Sequence, residues 1–274
     1  MSNQELVVSN VSNCCSPGPA ELDAATQAIK DFYNSVAEGE GNYSEGTDKF
    51  SPSGPTERIK EFVLASDKQR ILDIGCGMGT TLLSLVESHE DGKQFIGVDF
   101  SENMIARARE KSTQFPDGFR KKLGFFVADV QSLPYMDGQF DLIYSECVLN
   151  LVPDRIKAIQ EITRVLAPGG TFIYTDFVSY APVPSSIKND LSLVSGCRAG
   201  SIQLSENIAQ IEEAGYIDLE VINFTDDKNK RYRELMESSE EYKDEYLQFQ
   251  QDHAEAHHFL EEKVGYYLIK ATKV

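Results

Sequence analysis

The residues with the clearest chemical potential lie in a glycine-rich turn that follows a short apolar stretch. The segment from Ile71 to Gly79 reads Ile-Leu-Asp-Ile-Gly-Cys-Gly-Met-Gly. Glycine has no Cβ atom, so a turn with glycine at alternate positions can bend tightly and bring its backbone close to a ligand. Asp73 stands near the end of the apolar stretch, where its carboxylate can meet an ammonium group. The pattern predicts a small-molecule site at this turn.

Two further acids follow the next two predicted strands. Asp99 follows Phe95–Val98, and Asp129 follows Phe125–Ala128. The carboxyl ends of parallel strands meet at one edge of a sheet, so these acids should lie beside the turn. The carboxylate of Asp99 can accept both hydroxyls of a ribose, and that of Asp129 can accept an adenine amino group. The alternative is a parallel sheet whose acids only cap helices.

The turn does not match the common phosphate-binding patterns. A dinucleotide fingerprint requires a third glycine three residues after Gly77, and that position is Thr80. The Gly-Lys-Ser/Thr sequence of a P-loop is absent. S-adenosylmethionine has a nucleoside and an ammonium group but no phosphate, so it is the cofactor we predict.

With these acids, the turn resembles the class I S-adenosylmethionine-dependent methyltransferases over residues 70–176. The resemblance implies a Rossmann-like α/β fold with a seven-stranded, mostly parallel sheet whose last strand is antiparallel. It also leads us to expect a set of cofactor contacts. These are Tyr33, Asp73, Gly75, Cys76, Gly77, Gly79, Asp99, Phe100, Met104, Asp129, Val130 and Ser145.

Two cysteine-containing segments narrow the resemblance. Tyr144–Asp154 is similar to the Ser-Asn-Cys-Val-Ile-Asn-Leu-Val-Pro-Asp run of the arsenite methyltransferases, with Glu146 and Leu149 as the differences. Ser195–Gly200 is similar to their Ser-Gly-Cys-x-Ala-Gly segment. The wider resemblance runs from about residue 25 to 224. It implies that Cys147 and Cys197 are ligands of trivalent arsenic.

Thiol ligands suit this chemistry because trivalent arsenic is soft and thiophilic. Bound arsenic keeps a lone pair that can attack a sulfonium methyl group, so catalysis is chiefly positioning, and glutathione or thioredoxin is the expected reductant. The family carries two more cysteines upstream, whereas residues 16–75 have none. Cys14 and Cys15 are candidates to replace them. Cys76 lies within the glycine turn, and we expect its role to be structural.

Two other functions are compatible with the sequence. A methyltransferase of a small organic molecule, such as a quinone-like ring or an amine, would use Cys147 and Cys197 only for packing. A non-catalytic metalloid-binding protein would use the thiols alone, although the glycine turn argues against it. His253 and His257 have a possible metal-ligand spacing. They lack a convincing third ligand, so we expect no metal site.

Strand and helix patterns alternate from Ile71 onward, which predicts a parallel sheet covered by helices on both faces. We expect an arm and lid helix in residues 1–48. The cofactor-binding domain should occupy 49–274, with a loop-like substrate segment at 177–204 and a helical insertion at 226–262 before the last strand. The apolar spacing of Tyr242, Tyr246 and Phe249 predicts a helix that packs on the domain.

Composition limits the partners. The 274 residues include 26 basic and 44 acidic ones, and the net charge of −18 repels nucleic acid and anionic membranes. No apolar run is long enough for a membrane span, and the amino terminus lacks a secretory pattern. The five cysteines are an odd number, which favours free thiols in a reducing compartment. We therefore expect a cytoplasmic enzyme with a small-molecule or metalloid substrate. The sequence does not indicate its oligomeric state.

Overall fold

The computed structural model describes residues 23–38, 53–88, 92–193 and 195–274. The expected arm, with Cys14 and Cys15, lies outside the described residues.

The described strands form a single sheet. They are β1 (Arg70–Ile74), β2 (Gln94–Asp99), β3 (Leu123–Val127), β4 (Phe140–Glu146), β5 (Leu166–Ser179), β6 (Ile202–Gln203), β7 (Tyr216–Asn223) and β8 (Val264–Lys273). Seven of them follow the order β3-β2-β1-β4-β5-β8-β7, and the two-residue β6 pairs with the end of β5. The first five strands are parallel, whereas β8 runs antiparallel to both β5 and β7. The predicted α/β fold is confirmed, with β6 as a short addition.

Helices cover both faces of this sheet. They are α1 (Ala24–Glu38), α2 (Ser53–Ala65), α3 (Thr80–Glu87), α4 (Glu102–Ser112), α5 (Asp117–Arg120), α6 (Arg155–Val165), α7 (Ser185–Lys188), α8 (Leu204–Glu213), α9 (Thr225–Ser238), α10 (Glu240–Asp252) and α11 (Ala254–Glu262). Two of them begin at capping residues that the sequence predicts. The side chain of Ser101 accepts from the Met104 N–H at 3.1 Å, and that of Asp154 accepts from the Lys157 N–H at 2.9 Å.

Burial on both faces explains why the strands are apolar. Neighbouring residues of β1 point to opposite sides, so Ile71 packs in one hydrophobic cluster and Leu72 in the other. Both side chains are completely buried. Such strands hold their carboxyl ends rigidly, and the glycine turn and the predicted acids begin there.

The region after β4 has more regular structure than the sequence pattern predicts. Residues 177–204 include the end of β5, which is extended by pairing of Val178 and Ser179 with β8, together with α7 and β6. The helical insertion is three helices, α9 to α11, rather than one. Ser239 has an extended backbone and ends α9. Its side chain caps the start of α10.

The 177–199 segment packs against α11 and β8 in a third hydrophobic cluster. Phe177 and Leu193 contribute from the segment, and Ala256 and Leu260 contribute from α11. We call this layer, together with α9 and α10, the cap. The cap packs against Cys147, which directly follows the carboxyl end of β4. Within the described ranges, no helix combines the length and the apolar character needed to cross a bilayer.

Candidate active site

A cavity of about 1100 Å³ opens at the carboxyl ends of the parallel strands, between the sheet, α1 and the cap. One part of its wall is the glycine turn with the residues that follow β2 and β3. The other part holds both predicted thiols and an aromatic surface from the cap. The aromatic residues are Phe177, Tyr232, Tyr242, Tyr246, Phe249 and Tyr266. We call these parts the turn side and the thiol side.

The glycine turn has a backbone that side chains would not tolerate. Gly75, Gly77 and Gly79 have φ values of 69°, 52° and 76°, in the left-handed region that favours glycine. A Cβ atom on Gly75 would lie 2.2 Å from Cγ2 of Val148. One on Gly77 would have no atom within 4 Å, so this glycine leaves open space beside the backbone. The turn therefore fits a ligand that packs closely against it.

Asp99 and Asp129 both line the turn side. The Asp99 carboxylate accepts from the N–H groups of Gly77 and Ser101 at 2.9 and 2.8 Å, and its burial raises its pKa. The Asp129 carboxylate accepts from the Gln131 N–H at 2.8 Å. A carboxylate has about four acceptor positions, so both acids retain capacity for a ligand.

Three expected cofactor contacts lie behind the cavity wall. Asp73 is 3% exposed and accepts from the Tyr144 hydroxyl at 2.9 Å. Burial, followed by the charge of Glu146, raises the pKa of Asp73 well above its usual range. The Ser145 hydroxyl donates to the Ile74 carbonyl at 3.0 Å, and Gly79 packs against Phe125. These three residues support the turn from below.

Helix α1 covers the turn side from above. Tyr33, together with Phe100 and Met104 beneath it, lines the cavity, and Met104 packs with Val36 and Ala37 of the helix. The helix is also held by polar contacts. The Ser101 hydroxyl donates to Asn34 at 2.6 Å, and Arg107 Nε donates to the Ala37 carbonyl at 3.0 Å. This position suits the lid that the sequence predicts.

The two predicted thiols are neighbours on the thiol side. Cys197 Sγ donates to the Cys147 carbonyl oxygen at 3.0 Å, and Cys147 Sγ donates to the Tyr266 hydroxyl at 3.4 Å. Hydrogen bonding with the Cys197 side chain, followed by burial, raises the pKa of the Cys147 thiol well above its usual range. The fold thus brings together two thiols that are fifty residues apart in sequence.

Cys147 has a strained backbone. Its φ is 58°, which is uncommon for a residue with a side chain and costs free energy that the surrounding structure must supply. Its N–H donates to the Thr175 carbonyl at 2.9 Å, which keeps the residue attached to β5. Strain of this kind concentrates at functional sites, and here it turns the thiol towards Tyr266.

The segment that carries Cys197 rests directly on backbone. A Cβ atom on Gly200 would lie 1.9 Å from the carbonyl oxygen of Asn150. Asn150 is in turn fixed, since its N–H donates to Asp176 at 3.0 Å and its side-chain amide donates to the Phe177 carbonyl at 2.8 Å. Gly200 therefore lies against the loop that follows Cys147, and we expect this contact to position Cys197.

Asp176 supplies a pH-dependent test of this arrangement. Burial raises its pKa to about 7, although the Arg155 guanidinium at 3.6 Å opposes the shift. In the unfolded chain the pKa is about 3.9, so between about pH 4 and 7 the folded state holds the proton more often. This group therefore lowers the free energy of unfolding as the pH rises through that window.

We expect Asp176→Asn to gain stability relative to the unaltered protein as the pH rises from about 4 to about 7, because asparagine has no proton to lose. Urea unfolding at several pH values measures the difference. A difference that stays constant across the window, or changes in the opposite direction, would contradict the raised pKa.

Sequence reasoning missed two features of the thiol side. The helical spacing of Tyr242, Tyr246 and Phe249 predicts packing, but these residues also line the cavity. The Glu146 carboxylate also lines the cavity and accepts from the hydroxyls of Thr56 and Thr81. The signal for Glu146 in the sequence is that it differs from the family motif at this position.

The histidines have ordinary partners. His253 Nδ1 lies 3.6 Å from an Asp190 carboxylate oxygen, and His257 Nε2 lies 2.8 Å from the Tyr246 hydroxyl. In the part of the chain that the structure describes, no three histidine, cysteine or acidic side chains converge as a metal site would require.

Comparison with known proteins gives several relatives with different substrates. An arsenite methyltransferase from Halobacterium salinarum is 31% identical over 163 residues, which are 59% of this chain and 41% of that protein. The 27-O-demethylrifamycin SV methyltransferase from Amycolatopsis mediterranei is 29% identical over 163 residues, which are 58% of each. The chain thus spans about half the length of these curated relatives.

Solved structures agree on the fold. Phosphoethanolamine N-methyltransferase 2 from Haemonchus contortus, in complex with phosphomonomethylethanolamine and S-adenosylhomocysteine, superposes with a TM-score of 0.69 at 23% identity. The match covers 93% of this chain and 62% of that one. A family model for the methyltransferase domain matches residues 65–263, which is well over half of the chain. The chain therefore belongs to the methyltransferase-domain family, with the class I fold and a sequence that resembles the arsenite methyltransferases.

Proposed function

We propose that this protein transfers a methyl group from S-adenosylmethionine to trivalent arsenic held by Cys147 and Cys197. The observation that carries the proposal is the adjacency of the two thiols in the cavity whose other side is the glycine turn. A methyltransferase needs its substrate and its methyl donor in one enclosed space. Two neighbouring thiols are a fitting ligand pair for a soft, thiophilic atom.

The turn side fits the cofactor. Asp99 would hold the ribose hydroxyls and Asp129 the adenine amino group, while the open space beside Gly77 would admit the methionine portion. When bound, S-adenosylmethionine would supply a methyl group on positively charged sulfur. Tyr33 and the rest of α1 would cover it and exclude water.

The thiols would take up arsenite by condensation. Arsenous acid loses two hydroxyl groups as water, each leaving with the proton of one thiol, and arsenic stays trivalent with two sulfur ligands and one oxygen ligand. The high pKa of Cys147 does not prevent this step, because the proton leaves within the water. Two protein ligands would also aim the arsenic lone pair at the turn side.

Methyl transfer would follow without a general base. The arsenic lone pair would form a bond to the methyl carbon as the bond from carbon to sulfur breaks, so arsenic would gain two units of oxidation state and the donor sulfur would become neutral. Two thiols of a reductant, glutathione or thioredoxin, would then return arsenic to the trivalent state and would themselves be oxidised to a disulfide. This cycle requires reduced thiols, and we propose a reducing, cytoplasmic setting for the enzyme.

Mass spectrometry of the products tests the proposal. The protein is incubated with arsenite, glutathione and S-adenosylmethionine, and we expect methylated arsenic together with S-adenosylhomocysteine. Omission of the protein is the control. A protein that binds the cofactor but forms no methylated arsenic from arsenite or methylarsenite would contradict the proposal.

A small organic molecule is the second candidate substrate. The aromatic surface of the thiol side favours it, because Phe177, Phe249 and Tyr266 offer apolar area that arsenite alone would not need. The relative that acts on 27-O-demethylrifamycin SV is almost as similar as the arsenite enzyme. This candidate predicts methyl transfer to a quinone-like ring or an amine that survives loss of either thiol.

We expect Asp99→Ala to weaken binding of S-adenosylmethionine by about 1.5–3 kcal/mol, because the change removes charge-assisted hydrogen bonds to the ribose. It also removes the acceptor for the Gly77 N–H, which helps to hold the turn. Isothermal titration calorimetry measures the affinity. An affinity equal to that of the unaltered protein would remove Asp99 from the cofactor site.

A further inference from the structure

Glu146 is one of the acidic residues that line the cavity. It is the last residue of β4 and directly precedes Cys147. Its negative charge contributes to the raised pKa of Asp73, behind the glycine turn, and of Tyr266, whose hydroxyl contacts the Cys147 thiol. The charge is therefore felt on both the turn side and the thiol side.

The Glu146 carboxylate is held in place by two helix starts. One oxygen accepts from the Thr81 hydroxyl at 2.8 Å, and the other accepts from the Thr56 hydroxyl. Thr56 and Thr81 lie in the first turns of α2 and α3. A helix amino terminus carries partial positive charge and stabilises a nearby anion. The carboxylate is thus fixed in position.

The position has a consequence for ligand binding, which rests on the cofactor part of the proposed function. For transfer to an atom bound at Cys147, the donor sulfur must lie across the methyl group from the thiols. Glu146 directly precedes Cys147 and lines the same cavity, so its charge would act on a donor sulfur bound there. The donor sulfur is positively charged before transfer and neutral afterwards.

We propose that Glu146 makes the cavity selective for the positively charged methyl donor over its neutral demethylated product. A fixed carboxylate attracts a sulfonium ion, and the attraction is strong where water is scarce. The neutral thioether of S-adenosylhomocysteine receives no such attraction. Transfer itself therefore removes one interaction that holds the cofactor, which favours exchange of the product for a fresh donor.

Calorimetric titration of S-adenosylmethionine and S-adenosylhomocysteine, without arsenic, tests the inference. The unaltered protein should bind the charged donor more tightly than the neutral product. Glu146→Gln keeps the size and the acceptor oxygen, and it should weaken donor binding about tenfold, or about 1.4 kcal/mol, while product binding changes less than about twofold. Glu87→Gln, an exposed residue at the far end of α3, makes the same charge change and should alter neither affinity.

Equal weakening of both ligands would overturn the inference, since it would assign Glu146 to the ammonium group that both share or to the fold. No change in either affinity would also overturn it. If Glu146→Gln does not fold, the two affinities of the unaltered protein still test the inference. S-adenosylhomocysteine that binds as tightly as S-adenosylmethionine, or more tightly, would contradict the selectivity. Because no arsenic is present, failure here leaves the arsenic proposal standing, whereas absence of any donor binding would defeat both.

Discussion

Cys147→Ser and Cys197→Ser are each expected to reduce methylation of arsenite to about a hundredth or less of its rate, with folding and cofactor affinity retained. Serine is similar in size to cysteine, so the packing around Phe177 and Tyr266 should survive. Its hydroxyl is a hard, un-ionised ligand with little affinity for soft arsenic. Rates come from quantified methylated arsenic, affinities from calorimetry and stability from thermal unfolding.

Cys76→Ser is the matched control for these variants. Cys76 also lines the cavity, but on the turn side, and burial raises its pKa well above the usual range. Its sulfur packs near Gly97 of β2, so we expect a packing role and a much smaller loss of rate. If Cys147→Ser and Cys197→Ser both remain fully active on arsenite and on methylarsenite, the two cysteines are not arsenic ligands. The proposal that the substrate is a small organic molecule would then replace the arsenic proposal.

Gly200→Ala is expected to produce the second large effect. The added Cβ atom would meet the Asn150 carbonyl oxygen at 1.9 Å, and backbone rather than a flexible side chain would have to move. Such overpacking costs about 1–3 kcal/mol and would displace the segment that carries Cys197. We therefore expect a melting temperature lowered by several degrees and a loss of arsenic methylation greater than the loss of stability alone explains.

Gly196→Ala provides the comparison within the same segment. A Cβ atom there would have the Leu193 carbonyl oxygen as its nearest neighbour, at the ordinary contact distance of 3.5 Å. Gly196 directly precedes Cys197, whereas Gly200 lies three residues after it, yet Gly196→Ala should leave stability and activity nearly unchanged. Equal effects of the two alanines would show that the contact with Asn150 does not position the thiol.

Local patterns in the sequence predicted most of the fold. The strands of the sheet are apolar because both faces are covered, and Ser101 and Asp154 cap their helices through bonds that span three residues. Such features depend on near neighbours in the chain. The break of the 226–262 insertion into three helices was not predicted, because Ser239 and His253 interrupt a continuous apolar stripe only through their backbone angles.

Features of the site that depend on distant contacts were harder to predict. Cys197 contacts Cys147, and Gly200 lies against Asn150, across about fifty residues of sequence, and no spacing rule encodes such contacts. The carboxylate of Asp73, an expected cofactor contact, accepts from the Tyr144 hydroxyl on the neighbouring strand, and this bond depends on the register in which β1 and β4 pair. Cap residues such as Tyr242 show a helical spacing in the sequence. That spacing is the same whether the residue packs on the domain or lines a cavity, so it did not predict the lining.

Arsenic K-edge X-ray absorption tests the central claim most directly, because it reports the atoms bound to arsenic. A Cys14→Ser/Cys15→Ser variant loaded with arsenite, under a reductant that contains no thiol, leaves Cys76, Cys147 and Cys197 as the only thiols. The account predicts two sulfur ligands and one oxygen ligand per arsenic, and loss of this coordination when Cys147 or Cys197 is also replaced by serine. Arsenic with oxygen ligands alone, or sulfur coordination that persists without Cys147 and Cys197, would contradict it.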